Sequence, residues 1–256
     1  MLEELGFRIR AIGVLGVRIH DVTMGEALAV CRAAIASGWP HRVVTPNAEF
    51  VVAARRDPRF RELLNTATLA IPDGAGLLLA GRILGTPLRE QVTGTDLADQ
   101  VAGLCAREGY RLFLLGAAPG VAEAAAQRLA ARHPRLEVVG TCAGSAAPTA
   151  DADMRTQIRG VGRVDAILVA FGAGKQEEWI ARNQEALGIP LAIGVGGAFD
   201  FFAGRVPRAP AWLRRAGFDW LFRLIVQPWR WRRQLALPRF LIAVLAERVS
   251  LSRKAL

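Results

Sequence analysis

Short apolar runs rich in Val, Ile and Leu recur through the first 200 residues, and each ends in a turn of Gly, Pro or Asn. A stretch with helical spacing of its apolar residues follows most of these turns. Continuous apolar runs of this length are typical of buried parallel strands, which need crossover connections between them. The runs are HRVVTPN, TLAIPDG, YRLFLLGAAPG, LEVVGT, VDAILVAFGAG and PLAIGVGG.

The stretches between these runs predict crossover helices, at residues 24–37, 49–65, 75–84, 95–108, 121–133, 151–161 and 175–187. Alternating strands and helices predict an α/β fold: a doubly wound, largely parallel, Rossmann-like sheet with helices on both faces. The first segment, RIRAIGVLGVRIHDVT, predicts a hairpin that turns at Gly13 or Gly16.

The pattern changes after Gly197, where four prolines divide the chain into short helical segments around residues 211–216, 219–226, 229–237 and 239–249. Proline suits the first turn of a helix and interrupts its middle. We therefore expect a core at residues 1–200 and a short helical C-terminal appendage at 201–256.

Charge separates the same two regions. Residues 201–256 hold 12 of the 33 basic residues and 2 of the 23 acidic ones, so the entire net charge of +10 lies there. The appendage also interleaves Trp and Phe with Arg in DWLFRLIVQPWRWRRQLALPRF. Aromatic rings favour the headgroup layer of a membrane and guanidinium groups pair with phosphate. This composition predicts an anionic partner, whether a membrane surface, a diphosphate or a nucleic acid.

Several classes of protein are disfavoured. No run approaches the roughly 18 apolar residues that cross a bilayer, and the acidic, Arg-interrupted start is unlike a secretory signal, so we expect a cytoplasmic location. The cysteines and histidines lack metal-ligand spacing. Asp151-Ala152-Asp153 imitates a metal-binding DxD, but its position favours two acids at a helix N-terminus. We expect no metal and no cofactor.

Ligands of doubly wound sheets bind beyond the carboxyl ends of the strands, where several polar residues are predicted to meet. Asp73 and the pair Thr45 and Asn47 each follow a strand, and each either caps a helix or faces this cleft. Gly116 and Gly120 form either a phosphate-binding turn or a plain tight turn. Gln176 is either a ligand-binding amide or an ordinary surface residue.

The ordered motifs TPNAEF, PDGAGLLLA, VTGTDL, FLLGAAPGVAEAAA, GAGKQEEWI, GVGGAFDFFAGRVPRAPAWLRRAGFDWLFRL and QPWRWRR resemble the WecG/TagA/CpsF glycosyltransferases, glycosyltransferase family 26, over roughly residues 10–245. The resemblance implies transfer of a sugar, N-acetylmannosamine in the best-known members, from a UDP-sugar donor to a polyprenyl-diphosphate-linked saccharide. Such reactions build cell-surface polymers, including teichoic acid and exopolysaccharide. The resemblance also implies that the enzyme binds peripherally to the inner face of the cell membrane.

Residue roles follow from the same resemblance. It implies Asp73 as catalytic base, Thr45 and Asn47 as cleft residues, and Gln176 as a substrate-binding amide. It also implies arginines that engage diphosphate, which correspond to Arg223, Arg230 and Arg233.

The chain departs from the family pattern at two places. Gln91 stands where relatives usually carry an active-site arginine. Either Arg89 or Arg82 supplies the missing positive charge, or this chain uses a different acceptor that does not need it. Gly174 replaces a usual proline beside Gln176.

Without a convincing metal site, arginines of the appendage would meet the charge of the leaving diphosphate, in a metal-independent and, with direct attack, inverting reaction. A second hypothesis is a non-catalytic nucleic-acid-binding module that uses the basic aromatic tail. This hypothesis is disfavoured because the core at residues 1–200 carries no net charge. A nicotinamide-dependent dehydrogenase is disfavoured too, since the dinucleotide fingerprint is missing. A homo-oligomer is left open.

Overall fold

The computed structural model describes the backbone of residues 1–210, 212–213, 217–231 and 235–254, and the side chains of these residues except Arg230 and residues 252–254. Within them, two sheets and a set of surrounding helices form the fold.

The central sheet contains six parallel strands in the order β4-β3-β8-β7-β5-β6. They are β3 (His41–Val44), β4 (Leu69–Ala70), β5 (Arg111–Gly116), β6 (Glu137–Cys142), β7 (Ala166–Ala170) and β8 (Leu191–Gly194). Apolar side chains cover both faces of this sheet. The doubly wound α/β fold expected from the alternation of strands and helices is confirmed.

A separate antiparallel hairpin joins β1 (Ala11–Val14) to β2 (Val17–His20). Its two-residue turn is Leu15-Gly16, and both residues have positive φ angles, of 52° and 83°. This turn type matches the right-handed twist of the strands it joins. Gly16, and not Gly13, is therefore the turning glycine.

Nine helices of the described chain precede the appendage or begin at its border. They are α1 (Met24–Ser37), α2 (Ala48–Ala54), α3 (Pro58–Asn65), α4 (Ala75–Ile83), α5 (Gly94–Glu108), α6 (Val121–Arg132), α7 (Asp151–Gly160), α8 (Lys175–Leu187) and α9 (Ala198–Phe202). The expectation of one helix over 49–65 is wrong. Asp57 accepts a hydrogen bond from Phe60 N at 3.0 Å and begins α3, whose first residue is Pro58. Proline lacks the N–H that a continuous helix would need there.

The appendage contains α10 (Asp219–Val226), a 3-10 turn at Pro228–Arg230, and α11 (Ala236–Lys254). Helix α11 is longer than the expected 239–249, and its earlier start is possible because Pro238 lies in its first turn, where no N–H is required. Most of the helix predicted at 211–216 lies outside the described residues.

Helix α11 packs against the body of the protein, on α2 and α4. Its Phe240 and Val244 are fully buried in a cluster with residues of the hairpin and of these two helices. Its Glu247 accepts a hydrogen bond from Leu15 N at 3.1 Å. This part of the appendage is thus folded onto the core. Across the described residues, no helix is both long and apolar enough to span a bilayer.

Candidate active site

A cavity of about 800 Å³ opens at the carboxyl edge of the sheet, beside the loops that follow β3 and β4. The first turns of α4 and α5 and parts of α10 and α11 complete its wall. Its charged lining residues are Glu49, Asp73, Arg89, Glu90, Asp96, Arg208, Asp219 and Arg223. The edge at which ligands bind in sheets of this kind therefore holds a polar cavity.

Parallel pairing that continues past the strand ends positions Asp73. Ile71 N donates to the Val44 carbonyl and Asp73 N donates to the Pro46 carbonyl, each at 3.0 Å. Gly74, with φ of 107°, precedes the first residue of α4, and no side chain caps this helix. The alternative in which Asp73 is a helix cap is therefore wrong, and its carboxylate lines the cavity.

The Asp73 carboxylate lies in a close-fitting pocket. Its Oδ2 accepts a hydrogen bond from Gly94 N at 3.2 Å. A Cβ atom at position 94 would lie 2.8 Å from Thr45 Cγ2 and 3.4 Å from Asp73 Oδ2, so this approach requires glycine.

Burial raises the pKa of Asp73 to about 7. The hydrogen bond from Gly94 and the nearby charge of Arg223 lower this pKa, whereas the charges of Asp219 and Asp96 raise it. A carboxyl group with a pKa near neutrality is suited to accept a proton during a reaction.

Asn47 and Thr45 occupy different positions relative to the cavity. Asn47 Oδ1 accepts from Phe50 N at 3.1 Å and so caps α2, and the same residue lines the cavity. Thr45 is buried, and its Oγ1 donates to the Gly194 carbonyl at 3.1 Å. The Thr45 side chain packs against Gly94, whose N–H binds Asp73, and Thr45 does not line the cavity.

Gln176 is also absent from the cavity wall. Its side chain is fully buried, and its Oε1 accepts from Gly172 N at 3.2 Å and Gly196 N at 2.9 Å. Its Nε2 donates to Glu177 Oε1 at 2.8 Å. The amide therefore joins the loops that follow β7 and β8. Substrate binding by Gln176 stays a prediction.

Replacing Gln176 by Ala should lower the free energy of unfolding by roughly 2–4 kcal/mol, because two backbone N–H groups lose their buried acceptor. Chemical denaturation would measure this loss, with Gln127→Ala, at an exposed position of α6, as the matched control. Unchanged stability together with a large rise in KM would instead indicate direct contact with substrate.

Gly116 and Gly120 lie at the same edge of the sheet but outside the cavity lining. Gly116 has a φ of 105°, and a Cβ there would lie 2.8 Å from the backbone of Ala170. Gly120 has a φ of 78° and precedes α6. A tight turn accounts for both glycines, and nucleotide contact at this loop stays a prediction.

Of the three arginines implied to engage diphosphate, the structure places one. Arg223 of α10 lines the cavity, with its guanidinium carbon 4.9 Å from the centre of the Phe201 ring. Its Nε donates to Gln227 Oε1 at 3.4 Å. Arg233 and the side chain of Arg230 lie outside the described residues.

The sequence did not reveal a second arginine in the wall, Arg208, which pairs with Asp96 at 2.7 Å. Asp96 also accepts from Thr93 Oγ1 at 2.7 Å. Both residues lie within motifs that suggested the family, VTGTDL and RVPRAP, but neither stands out there, because an ion pair between distant segments has no local pattern.

Gln91 lines the cavity, so the departure from the family pattern lies at the site itself. Arg89 also lines the cavity, whereas Arg82 does not. Arg89 is paired with Glu26 at 2.6 Å. Of the two candidates for the missing charge, Arg89 is the one beside the cavity.

Asp151 pairs with Arg182 at 2.8 Å in the first turn of α7, so the interpretation of the DxD sequence as acids at a helix N-terminus is supported. Among the described residues, no group of three or more His, Cys, Asp or Glu side chains is arranged to hold a metal ion.

A parallel sheet with a polar cavity at its carboxyl edge and a desolvated carboxylate in the wall is the arrangement of an α/β enzyme. The model of the glycosyl transferase WecG/TagA/CpsF family matches residues 12–254. The chain therefore belongs to this glycosyltransferase family, and the resemblance seen in its motifs is confirmed.

Relatives named N-acetylglucosaminyldiphosphoundecaprenol N-acetyl-beta-D-mannosaminyltransferase are similar to the chain over most of its length. The protein of Bacillus subtilis is 30% identical over 80% of this chain and 79% of its own. That of Bacillus spizizenii is 32% identical over 79% and 78%. That of Staphylococcus aureus strain NCTC 8325 is 28% identical over 91% of each.

Proposed function

We propose that the enzyme transfers a sugar, N-acetylmannosamine or a similar hexose, from a UDP-sugar to a polyprenyl-diphosphate-linked saccharide, in the synthesis of a cell-surface polymer. The observation that carries the proposal is Asp73, a desolvated carboxylate in the cavity of a glycosyltransferase. The names of the relatives support the sugar and the acceptor.

In the proposed mechanism Asp73 acts as the base. A hydroxyl of the acceptor saccharide attacks the anomeric carbon of the donor, and its proton passes to the Asp73 carboxylate. The bond from the anomeric carbon to the diphosphate oxygen breaks, and UDP leaves with the electron pair. Direct attack inverts the configuration at the anomeric carbon.

The negative charge that develops on the leaving diphosphate needs a positive partner. Arg223 is the proposed one, because it lines the cavity and its charge already acts on Asp73. Arg208 and Arg89 also line the cavity, where Arg208 pairs with Asp96 and Arg89 with Glu26. We assign Arg230 and Arg233 to the same role on the family resemblance, with no metal required.

The remaining candidates would position the donor and the acceptor. Asn47 lines the cavity as Asp73 does, and we assign it to a sugar hydroxyl. Thr45 would act indirectly, by packing against Gly94, whose N–H donates to the Asp73 carboxylate. Gly116 and Gly120 stay assigned to the nucleotide.

The proposal divides the work between two regions, residues 1–200 for donor and base, and 201–256 for diphosphate and membrane. Large apolar side chains of the second region are exposed, among them Trp212, Ile225, Trp229 and Trp231. Together with the net charge of +10 in this region, they support a peripheral position on the anionic, inner face of the cell membrane.

Transfer should depend on pH, because Asp73 must be ionised to act as a base. With its pKa near 7, kcat/KM should be constant above about pH 8 and should fall about tenfold per pH unit well below 7. A profile of kcat/KM from pH 5.5 to 9 measures this, with circular dichroism to show that the fold persists. A profile that stays flat down to pH 5.5 would exclude Asp73 as the titrating base.

The reaction itself is tested with a panel of UDP-sugars and a polyprenyl-diphosphate-linked N-acetylglucosamine acceptor. Transfer from at least one donor, and none without the acceptor, is the expected result. Failure with every donor, together with tight binding of single-stranded nucleic acid, would favour the nucleic-acid-binding hypothesis.

A further inference from the structure

A second concavity, of about 500 Å³, lies between α2 and α11. Its lining residues are Val52, Arg55, Arg56, Arg239 and Ile242, which we call the arginine groove. All three arginines are exposed, and within the described part of the chain none has an ion-pair or side-chain hydrogen-bond partner. Among the residues that the structure describes, no carboxylate lines the groove. Three unpaired guanidinium groups around one depression form a site for an anion, with phosphate as the geometric match.

The arginine groove is next to the candidate active site. Helix α2 lines the cavity with Ala48 and Glu49 and the groove with Val52, and Arg55 and Arg56 follow its last residue, Ala54. Three residues of helix separate Glu49 from Val52, a rise of about 4.5 Å. Helix α11 likewise lines the cavity with Leu237 and the groove with Arg239. A ligand in the groove is thus held close to whatever occupies the cavity.

An apolar stripe adjoins the groove on α11. Ile242, Leu245 and Val249 are 68%, 53% and 53% exposed, and spacings of three and four residues place them on one face of the helix. Small soluble anions need only the guanidinium groups. A bilayer surface supplies both phosphate for the arginines and an acyl boundary for the stripe.

We propose that the arginine groove binds the headgroup phosphate of an acidic phospholipid, while the stripe of α11 enters the acyl boundary of the same leaflet. This contact holds the cavity close to the membrane that carries the lipid-linked acceptor. It rests on the proposed function, in which the acceptor is carried by a membrane lipid. It adds a site formed partly by the body, through α2, to the basic appendage.

The test compares the full-length chain with an Arg55→Gln/Arg56→Gln variant in cosedimentation with vesicles of phosphatidylglycerol and phosphatidylcholine. The double variant should bind the acidic vesicles roughly thirtyfold more weakly, since each basic residue at such a surface contributes about fivefold. Arg107→Gln/Arg135→Gln removes the same charge from exposed positions near the far ends of α5 and α6, and should bind like the wild type. Ile242→Ser should also weaken binding, at unchanged net charge.

Transfer assays separate this proposal from the proposed function. The Arg55→Gln/Arg56→Gln variant should keep wild-type activity on a short-chain, water-soluble acceptor and lose activity on acceptor embedded in vesicles. Equal vesicle binding by the double variant and its control would overturn the proposed role of the arginine groove and leave the proposed sugar transfer unaffected. The proposal would also be overturned if the double variant lost affinity for inorganic phosphate or RNA by the same factor as for vesicles, because the groove would then not select a membrane surface. A wild-type chain without activity on either acceptor would contradict the proposed function instead.

Discussion

Replacing Asp73 by Asn is expected to lower kcat for sugar transfer by about two to four orders of magnitude, with little change in KM. The amide has nearly the shape of the carboxylate and can still accept a hydrogen bond from Gly94 N. It cannot take the proton of the acceptor hydroxyl. Steady-state assays with the best donor of the UDP-sugar panel measure the loss.

Asp153→Asn is the matched control, because it changes an exposed aspartate in the first turn of α7, away from the cavity. This variant should transfer sugar at the wild-type rate, which would also argue against a metal-binding role for the DxD sequence. Undiminished turnover of Asp73→Asn would remove Asp73 from the mechanism.

Replacing Arg223 by Gln is expected to produce the second-largest loss, about a hundredfold or more in kcat, because the leaving diphosphate would lose a positive partner. A second signature accompanies the loss. Arg223 lowers the pKa of Asp73, so its removal should move the acidic limb of the kcat/KM profile to higher pH. A purely structural role for Arg223 would lower activity without this specific shift.

Arg223→Lys keeps the charge, and Arg107→Gln removes an equal charge at a distant exposed position. The lysine variant should keep the wild-type pH limb and recover part of the rate, and the distant variant should change neither. An unshifted limb in Arg223→Gln, with kcat close to that of the wild type, would contradict the assignment.

Most of the fold was predictable from the sequence, because apolar runs and helical periodicity are local signals. Helices α1 and α8 begin and end at the predicted residues. The break at Asp57-Pro58 was missed, although Asp followed by Pro is a typical helix start. The apolar periodicity on both sides concealed it. The length of α11 depends on packing of Phe240 and Val244 into the core, which no local pattern of the appendage indicates.

The candidate site was predictable in part, for a related reason. Asp73 follows a strand, so topology alone places it at the ligand edge of the sheet. Spacing cannot show whether it caps α4, because that depends on the backbone at Gly74. The direction of the Gln176 side chain depends on two loops that are distant in sequence from each other. The pairing of Arg208 with Asp96 likewise depends on tertiary structure.

The packing of α11 has a consequence for the order of folding. The hydrogen bond between Leu15 and Glu247 joins residues 232 positions apart, and the first turn of α11 closes one wall of the cavity. Contacts that close so long a loop form slowly compared with local ones. The strands of the sheet lie between these two residues, so we expect them to pair first. The enzyme would then acquire its closed cavity, and with it the ability to bind both substrates, only in the last stage of folding.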